Sequence, residues 1–281
     1  LAIGSINSFV GLLIAFCAPI LGALADVGRV KKRFLFFFAL IGILSTGYLF
    51  FIPESSWKLA ILFYGLGIIG FSGGNIFYDA LIIDISRPNE RNRASALGFS
   101  LGYLGGGLLF LLNVLMYINP EWFGLSSAVD AVLWSFLSVA LWWFIFSFPL
   151  FINIKETKSV KQNINSSIIK TAFTNLYQTA RSIKKYKSAA IFLLAYFLYM
   201  DGVDTIIRMA TSYGSDIGLT ATSMIGALLL TQFIGFPATL IFGLYADKFG
   251  YKKSLTFAIL VYIGVVLFSS QMDTALEFYI V

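Results

Sequence analysis

The chain has 281 residues, of which 58% are hydrophobic, 17% aromatic and 12% charged, and its mean hydropathy is +0.84. Soluble domains carry about 25% charged residues, so a chain this poor in charge is not a soluble globular enzyme. The net charge of +6 suits either nucleic-acid binding or the basic loops of a membrane protein. The single cysteine, Cys17, permits no internal disulfide, and a chain without histidine has no histidine ligand for a metal. We expect no metal and no cofactor.

Eight stretches are long and apolar enough to cross a membrane as helices, which takes about 20 residues each. Their apolar runs are continuous rather than alternating, which favours helices over strands. The sixth stretch alone contains charges, namely Asp201, Asp204 and Arg208. The sequence therefore predicts an all-α, polytopic transmembrane helical bundle, with spans at residues 1–25, 34–53, 59–78, 94–120, 131–154, 188–212, 217–246 and 254–272.

The basic residues lie on alternate connections. Residues 26–33, 84–93, 153–188 and 247–254 hold 18 of the 20 lysines and arginines, whereas the other connections contain only Lys58. Because cytoplasmic loops carry the excess of Lys and Arg, we assign the basic loops to the cytoplasm. The charge follows topology rather than one binding stripe, so we expect no nucleic-acid partner.

Two of the basic turns resemble each other at a constant offset of 221 residues. Gly22, Asp26, Lys31 and Lys32 of the first turn match Gly243, Asp247, Lys252 and Lys253 of the second. The second glycine of each turn, Gly28 or Gly250, stands at a different spacing. Since the turns follow the first and seventh spans, the repeat unit is six helices, and two parallel six-helix halves are a known plan of secondary transporters.

This turn resembles the loop signature of the major facilitator superfamily. The runs at 93–107 and 192–203 are similar to the fifth and seventh helices of its vacuole effluxer branch, the autophagy-related amino-acid effluxers. The resemblance implies a major facilitator fold with about eight of twelve helices, lacking the first helix and most of helices ten to twelve. It also implies three parts, which are an N-terminal half-bundle at 1–152 (helices 2–6), a cytoplasmic linker at 153–188, and a C-terminal half-bundle at 189–281 (helices 7–9 and the start of 10).

The linker contains one amphipathic pattern. Apolar residues recur at helical spacing among Lys170, Arg181 and Lys184, and they are Ile169, Phe173, Leu176, Ala180 and Ile183. This pattern predicts a helix on the inner membrane surface, and a solvated linker is the alternative.

Ionisable groups within the spans are the candidates for substrate or proton binding, because they are expensive in hydrocarbon and usually face a cavity. Asp201, Asp204 and Arg208 share one helix face, and Asp201 is our candidate to bind an amine or a coupling proton. The alternative is a local Asp204–Arg208 pair that makes two buried charges tolerable. The resemblance places Asn75 and Asp79 on another cavity-lining helix, and packing against a neighbouring helix is their alternative role.

The helix-end residues are candidates for a conformational gate, with plain topology and capping as the alternative. Asp26 and Asp247 are its central carboxylates, and Asp84 and Arg87 lie at the same membrane side. The gate set is Gly22, Asp26, Arg29, Lys31, Lys32, Gly243, Asp247, Gly250, Lys252 and Lys253. Three further glycines, Gly98, Gly102 and Gly106, predict close helix packing.

The sequence thus predicts a secondary transporter, not an enzyme, that moves small solutes by alternating access. The resemblance implies amino acids as solutes and export as the direction, with proton coupling left open. A drug or sugar carrier and a non-transporting membrane receptor or scaffold are the alternatives. We expect a monomeric, multi-pass protein whose partners are the lipid bilayer, a small solute and, if coupled, protons. Its membrane would be the plasma membrane in a bacterium or the vacuolar membrane in a fungus.

Overall fold

The computed structural model describes residues 2–28, 30–53, 55–154, 166–182 and 185–280, and no strand occurs among them. Short 3₁₀ turns lie at Leu49–Phe51 and Pro120–Phe123. The α-helices of the described residues are α1 (Ala2–Gly28), α2 (Lys31–Tyr48), α3 (Trp57–Ile85), α4 (Arg91–Ile118), α5 (Ala128–Asn153), α6 (Ser166–Ser182), α7 (Lys187–Asp216), α8 (Ala221–Phe249), α9 (Tyr251–Ser269) and α10 (Ala275–Ile280).

Eight of these helices are long and apolar enough to cross a membrane, which confirms the predicted all-α transmembrane bundle. They are α1 to α5 and α7 to α9, one for each predicted span. The helix α3 continues to Ile85, beyond the predicted end at residue 78, so Asp79 and Asp84 both lie on it. The amphipathic helix predicted in the linker is present as α6, and its last predicted apolar position, Ile183, lies outside the described residues.

The helices group by their contacts into two compact units. Unit 1 contains Leu1–Arg91 and Leu115–Ser182, and unit 2 contains Asn92–Val114 and Ile183–Val281. Most of α4 therefore groups with α7 to α10. The division into half-bundles at 1–152 and 189–281 follows the internal repeat and stays a prediction.

The core of unit 1 lies between α2 and α3. Phe77 is fully buried, and its ring stacks on those of Phe34 and Phe38 with centroid distances of 5.1 and 5.8 Å. Farther along the same two helices, a Cβ on Gly70 would overlap the backbone of Gly42, so the two main chains touch there. Lipid tails are as apolar as these side chains, and close packing is therefore what holds α2 to α3.

In unit 2, α4 crosses α8 at close range. Ser100 is completely buried, and its hydroxyl donates a 3.0 Å hydrogen bond to the carbonyl oxygen of Phe236, next to Pro237. On the same side of α4, Ala96 lies against Gly243 and Tyr103 against Gly235, where a Cβ would come within 2.7 and 2.6 Å of those side chains. Small residues on α8 thus admit the side chains of α4.

The turn between α8 and α9 requires glycine. Gly250 is the one residue between the two helices, and its φ of 87° and ψ of 148° lie in a region that is essentially restricted to glycine. The second glycine of this copy of the repeated turn is therefore explained by backbone geometry.

The close contact between α2 and α3 predicts unequal effects for two alanine substitutions on α3. We expect Gly70→Ala to lower the free energy of unfolding by about 1–3 kcal/mol, because the added methyl group forces the two backbones apart. Gly67→Ala is the matched control, since its Cβ would lie an ordinary 3.6 Å from the Thr46 hydroxyl. Thermal unfolding of the two purified variants in detergent provides the measurement, and equal midpoints would contradict the packing argument.

The start of α10 predicts a dependence on pH. Glu277 accepts hydrogen bonds from the backbone nitrogens of Asp273 and Thr274 and from the Thr274 hydroxyl, and together these hold the pKa of the Glu277 carboxyl below its usual value. The stabilisation is complete above the ordinary pKa and is lost as the pH falls through the lowered one. We therefore expect Glu277→Gln to lower the thermal midpoint at pH 7 and to match the unaltered protein at strongly acidic pH. A pH-independent difference would show that the charge of Glu277 is irrelevant.

Candidate functional site

Three helix ends of unit 1 meet at Lys31. Its Nζ lies 2.9 Å from Oδ1 of Asp26, near the end of α1, and 3.1 Å from Oδ2 of Asp84, near the end of α3. The Lys31 side chain is 15% exposed, whereas those of Asp26 and Asp84 are 66% and 42% exposed. Lys31 of the repeated turn therefore links α1, α2 and α3 through two ion pairs. Its ammonium group is shielded from solvent, and the two carboxylates are more exposed.

The neighbouring lysine of the same turn reaches a fourth helix. The Nζ of Lys32 donates to the carbonyl oxygen of Ile154, the C-cap of α5. A cation at a helix C-terminus is favourable because the last carbonyl groups carry partial negative charge. A Cβ on Gly22 would meet none of the described residues within 4 Å, and Arg29 lies outside those residues.

In unit 2 the corresponding carboxylate has a different partner. The Nδ2 of Asn92, in the first turn of α4, donates to Oδ1 of Asp247 at 2.7 Å and to the carbonyl oxygen of Gly243 at 3.1 Å. A carboxylate at a helix N-terminus is also stabilised by the helix dipole. Lys252 and Lys253 are exposed and form no ion pair within the described part of the chain.

Asn92 is absent from the gate set predicted by the sequence. The repeat directs attention to residues that the two turns share, and Asn92 is outside both turns. Its position in the first turn of α4, between two arginines, was the one available signal. Only the close packing of α4 against α8 brings its amide to Asp247.

The acidic face of α7 points away from α9. Tyr199 contacts Tyr262 of α9 edge-on, with ring centroids 6.3 Å apart. At 100° per residue, Asp201 lies about 160° around α7 from Tyr199, and Asp204 is on the same side as Asp201. Both carboxylates are exposed, and among the described residues no side chain pairs with that of Asp201. The side chain of Arg208 lies outside the described residues, so the local Asp204–Arg208 pair stays an alternative.

The polar face of α3 shows the same arrangement in unit 1. Phe77 and Gly73 face α2, whereas Asn75 and Asp79 lie on the opposite side of the helix and are exposed. The structure therefore brings Asn75 and Asp79 onto one face of α3, and Asp201 and Asp204 onto one face of α7. Unit 1 leaves this face of α3 uncovered. Unit 2 leaves the acidic face of α7 uncovered together with most of the rest of that helix.

Two glycines of the α4 stripe make few contacts with the described residues. A Cβ on Gly102 would meet nothing within 4 Å, and one on Gly106 would meet only Oε1 of Gln232, at 3.8 Å. The close approach is one residue further, at Gly107, where a Cβ would lie 3.1 Å from that of Gln232. The packing role of Gly98, Gly102 and Gly106 stays a prediction.

Across the described residues, no group of three or more histidine, cysteine or acidic side chains could hold a metal.

The Asn92–Asp247 contact predicts a rescue between two substitutions. Asn92→Asp replaces the donor with a second carboxylate, and we expect it to lower the free energy of unfolding by about 1 kcal/mol through like-charge repulsion. The exchanged pair, Asn92→Asp with Asp247→Asn, restores one amide and one carboxylate and should recover most of the loss. Thermal unfolding, with hydrogen exchange at the end of α8, measures both effects. Additive losses in the double variant would exclude a direct interaction.

The chain resembles known membrane transporters along nearly its whole length. The family model described as "Vacuole effluxer Atg22 like" matches residues 5–270. An uncharacterized transporter of the major facilitator type from Bacillus subtilis, YxiO, is 38% identical over 270 residues, which are 95% of this chain and 62% of that protein. Autophagy-related protein 22 is 22% identical in Yarrowia lipolytica, over 67% of this chain and 44% of the relative, and 22% identical in Kluyveromyces lactis, over 72% and 44%. No solved structure matches.

Proposed function

The chain belongs to the Atg22-like vacuole effluxer family, and from this membership we propose that it exports small solutes, amino acids first, across a membrane. Its eight apolar helices and its relatives make it part of an integral, multi-pass membrane protein, and these relatives are transporters rather than enzymes. Because the chain spans 62% of the bacterial relative and 44% of the fungal ones, the activity proposed here is that of the whole protein.

The observation that carries the proposal is the pair of uncovered polar faces on α3 and α7. An ionisable side chain that faces hydrocarbon costs several kcal/mol, so the carboxylates of Asp79 and Asp201 require water, a polar neighbour or a bound solute. The side of α3 that packs against α2 carries Phe77, and the side of α7 that contacts α9 carries Tyr199. A transport pathway supplies the water and the solute that these faces need.

We assign to Asp201 the binding of the cationic part of the solute or of a coupling proton. It lies near the middle of α7, fourteen residues after the helix begins at Lys187, and a Cβ on Gly202 beside it would meet none of the described residues within 4 Å. A carboxylate at this depth is stabilised either by a proton or by an ammonium group. Asp204 and Arg208 lie on the same face as Asp201, and we assign them the role of partly neutralising neighbours.

The helix-end contacts suit the role of a conformational gate. The proposed cytoplasmic side of unit 1 is held by Lys31 between Asp26 and Asp84, and that of unit 2 by Asn92 and Asp247. Exposed ion pairs and single hydrogen bonds are each worth about 1 kcal/mol or less, so such contacts can break and re-form during a transport cycle. Of the two sets, the Asn92–Asp247 contact joins residues of the two predicted half-bundles and is the one that rocking of the halves would have to break.

The assignment of Asp201 predicts a selective loss of transport. We expect Asp201→Asn to reduce amino-acid flux at least ten-fold at normal membrane abundance, because the amide can neither hold a proton nor neutralise an ammonium group. Asp216→Asn, at the exposed end of the same helix, is the matched control and should leave the flux unchanged. The measurement is flux in proteoliposomes of the full-length protein, with and without a pH gradient.

The two conditions separate the two possible roles. If Asp201 carries a proton, the variant loses its response to the pH gradient, whereas loss of flux under both conditions indicates solute binding. Unchanged flux in Asp201→Asn would refute both roles. A full-length protein that binds no solute and supports no flux would favour a receptor or scaffold.

A further inference from the structure

The amphipathic helix α6 has one face in contact with the protein and one face exposed. Ala172 is 1% exposed and lies on the side of α6 that packs against α1. Ile169, Phe173 and Tyr177, which we call the apolar stripe, are 43%, 49% and 67% exposed. They follow one another at intervals of four residues and therefore form a continuous line along the helix. Three large apolar side chains in a row need an apolar partner.

Basic residues border this stripe. At 100° per residue, Lys170 and Arg181 fall within about 20° of each other and next to Tyr177, although three turns separate them along the helix. The far side carries uncharged polar residues, among them Asn175 and Gln178. The sequence of α6 contains no aspartate or glutamate, and its segment, 153–188, holds eight basic residues and one acidic residue, Glu156. An apolar stripe with a basic border is the pattern of a helix that lies in the surface of an anionic membrane.

The connections of α6 keep it close to a membrane. It follows α5, which ends at Asn153, and precedes α7, which begins at Lys187, and both are long enough to cross a bilayer. Both ends of the linker are thus fixed to spanning helices. The asymmetry of the basic loops also places α6 on the cytoplasmic side. It therefore lies next to the leaflet that contains the anionic lipids.

We propose that α6 binds the anionic surface of the membrane. The apolar stripe inserts between the acyl chains, Lys170 and Arg181 bind lipid phosphates, and the face with Asn175 and Gln178 stays in water. The side with Ala172 remains against α1, so the membrane covers the part of the helix that the protein leaves free. A second copy of α6 is a poorer partner, because it brings the same positive charges and no carboxylate to pair with them.

Nitroxide labels on two faces of α6 test the proposal in the full-length protein. The labels are attached at Tyr177→Cys, in the stripe, and at Asn175→Cys, an exposed position about 160° away, after Cys17 and any further cysteine of the full-length protein are replaced by serine. The protein is placed in nanodiscs of phosphatidylcholine with or without phosphatidylglycerol. We expect the label at 177 to be accessible to oxygen and shielded from a water-soluble nickel complex in the anionic discs, and the label at 175 to show the reverse.

Charge variants test the electrostatic part. Lys170→Glu with Arg181→Glu should lower the inserted fraction of the label at 177 about five-fold or more in anionic discs. Gln178→Glu adds one negative charge on the opposite face and should leave insertion unchanged. Equal accessibility at 175 and 177, or insertion that is the same with and without phosphatidylglycerol, would overturn the proposal. Spin–spin coupling between labels of two protein copies would also overturn it, in favour of self-association.

Discussion

The inability of hydrocarbon to solvate polar groups is the constraint on which the rest of this structure depends. Each spanning segment satisfies its backbone groups within its own helix, which is why the described residues contain helices and no strands. The same constraint moves charge to the helix ends, where 18 of the 20 basic residues lie on alternate connections. Ion pairs such as Lys31 with Asp26 form at those ends because water remains there to share the charge.

Contact within the apolar layer follows a different rule, because the hydrophobic effect does not draw helices together in lipid. Unit 1 compensates with direct backbone contact at Gly42 and Gly70, and with the stacked rings around Phe77. Unit 2 relies on the buried hydroxyl of Ser100, which reaches the α8 backbone beside Pro237. In both units the closely packed side of a helix is apolar or small. The polar side chains of α3 and α7 are consequently left on the opposite sides, where a solute pathway can use them.

The sequence predicts the features that depend on local composition. The eight apolar stretches correspond to eight helices long enough to span a membrane. The repeated turn indicated Asp26 and Asp247 as helix-end carboxylates, and in the structure each has a partner. Features that depend on the approach of distant helices were not predictable. Asn92 lies 155 residues from Asp247, and nothing in its neighbours reveals that α4 crosses α8 at that point. The glycines show the same limit, because Gly107, which lies outside the spacing of Gly98, Gly102 and Gly106, is the glycine that comes close to the side chain of Gln232.

The two copies of the repeated turn hold their aspartates by different physical means. Asp26 is paired with a lysine that also binds Asp84, so its attraction weakens as salt screens the charges. Asp247 accepts a hydrogen bond from a neutral amide at the start of α4, an interaction of short range that salt affects less. Both arrangements join a carboxylate of the repeat to a different helix of the same unit. The two copies of the repeat thus share the carboxylate and differ in its partner, so what they have in common is a negative charge at this place rather than one particular bond.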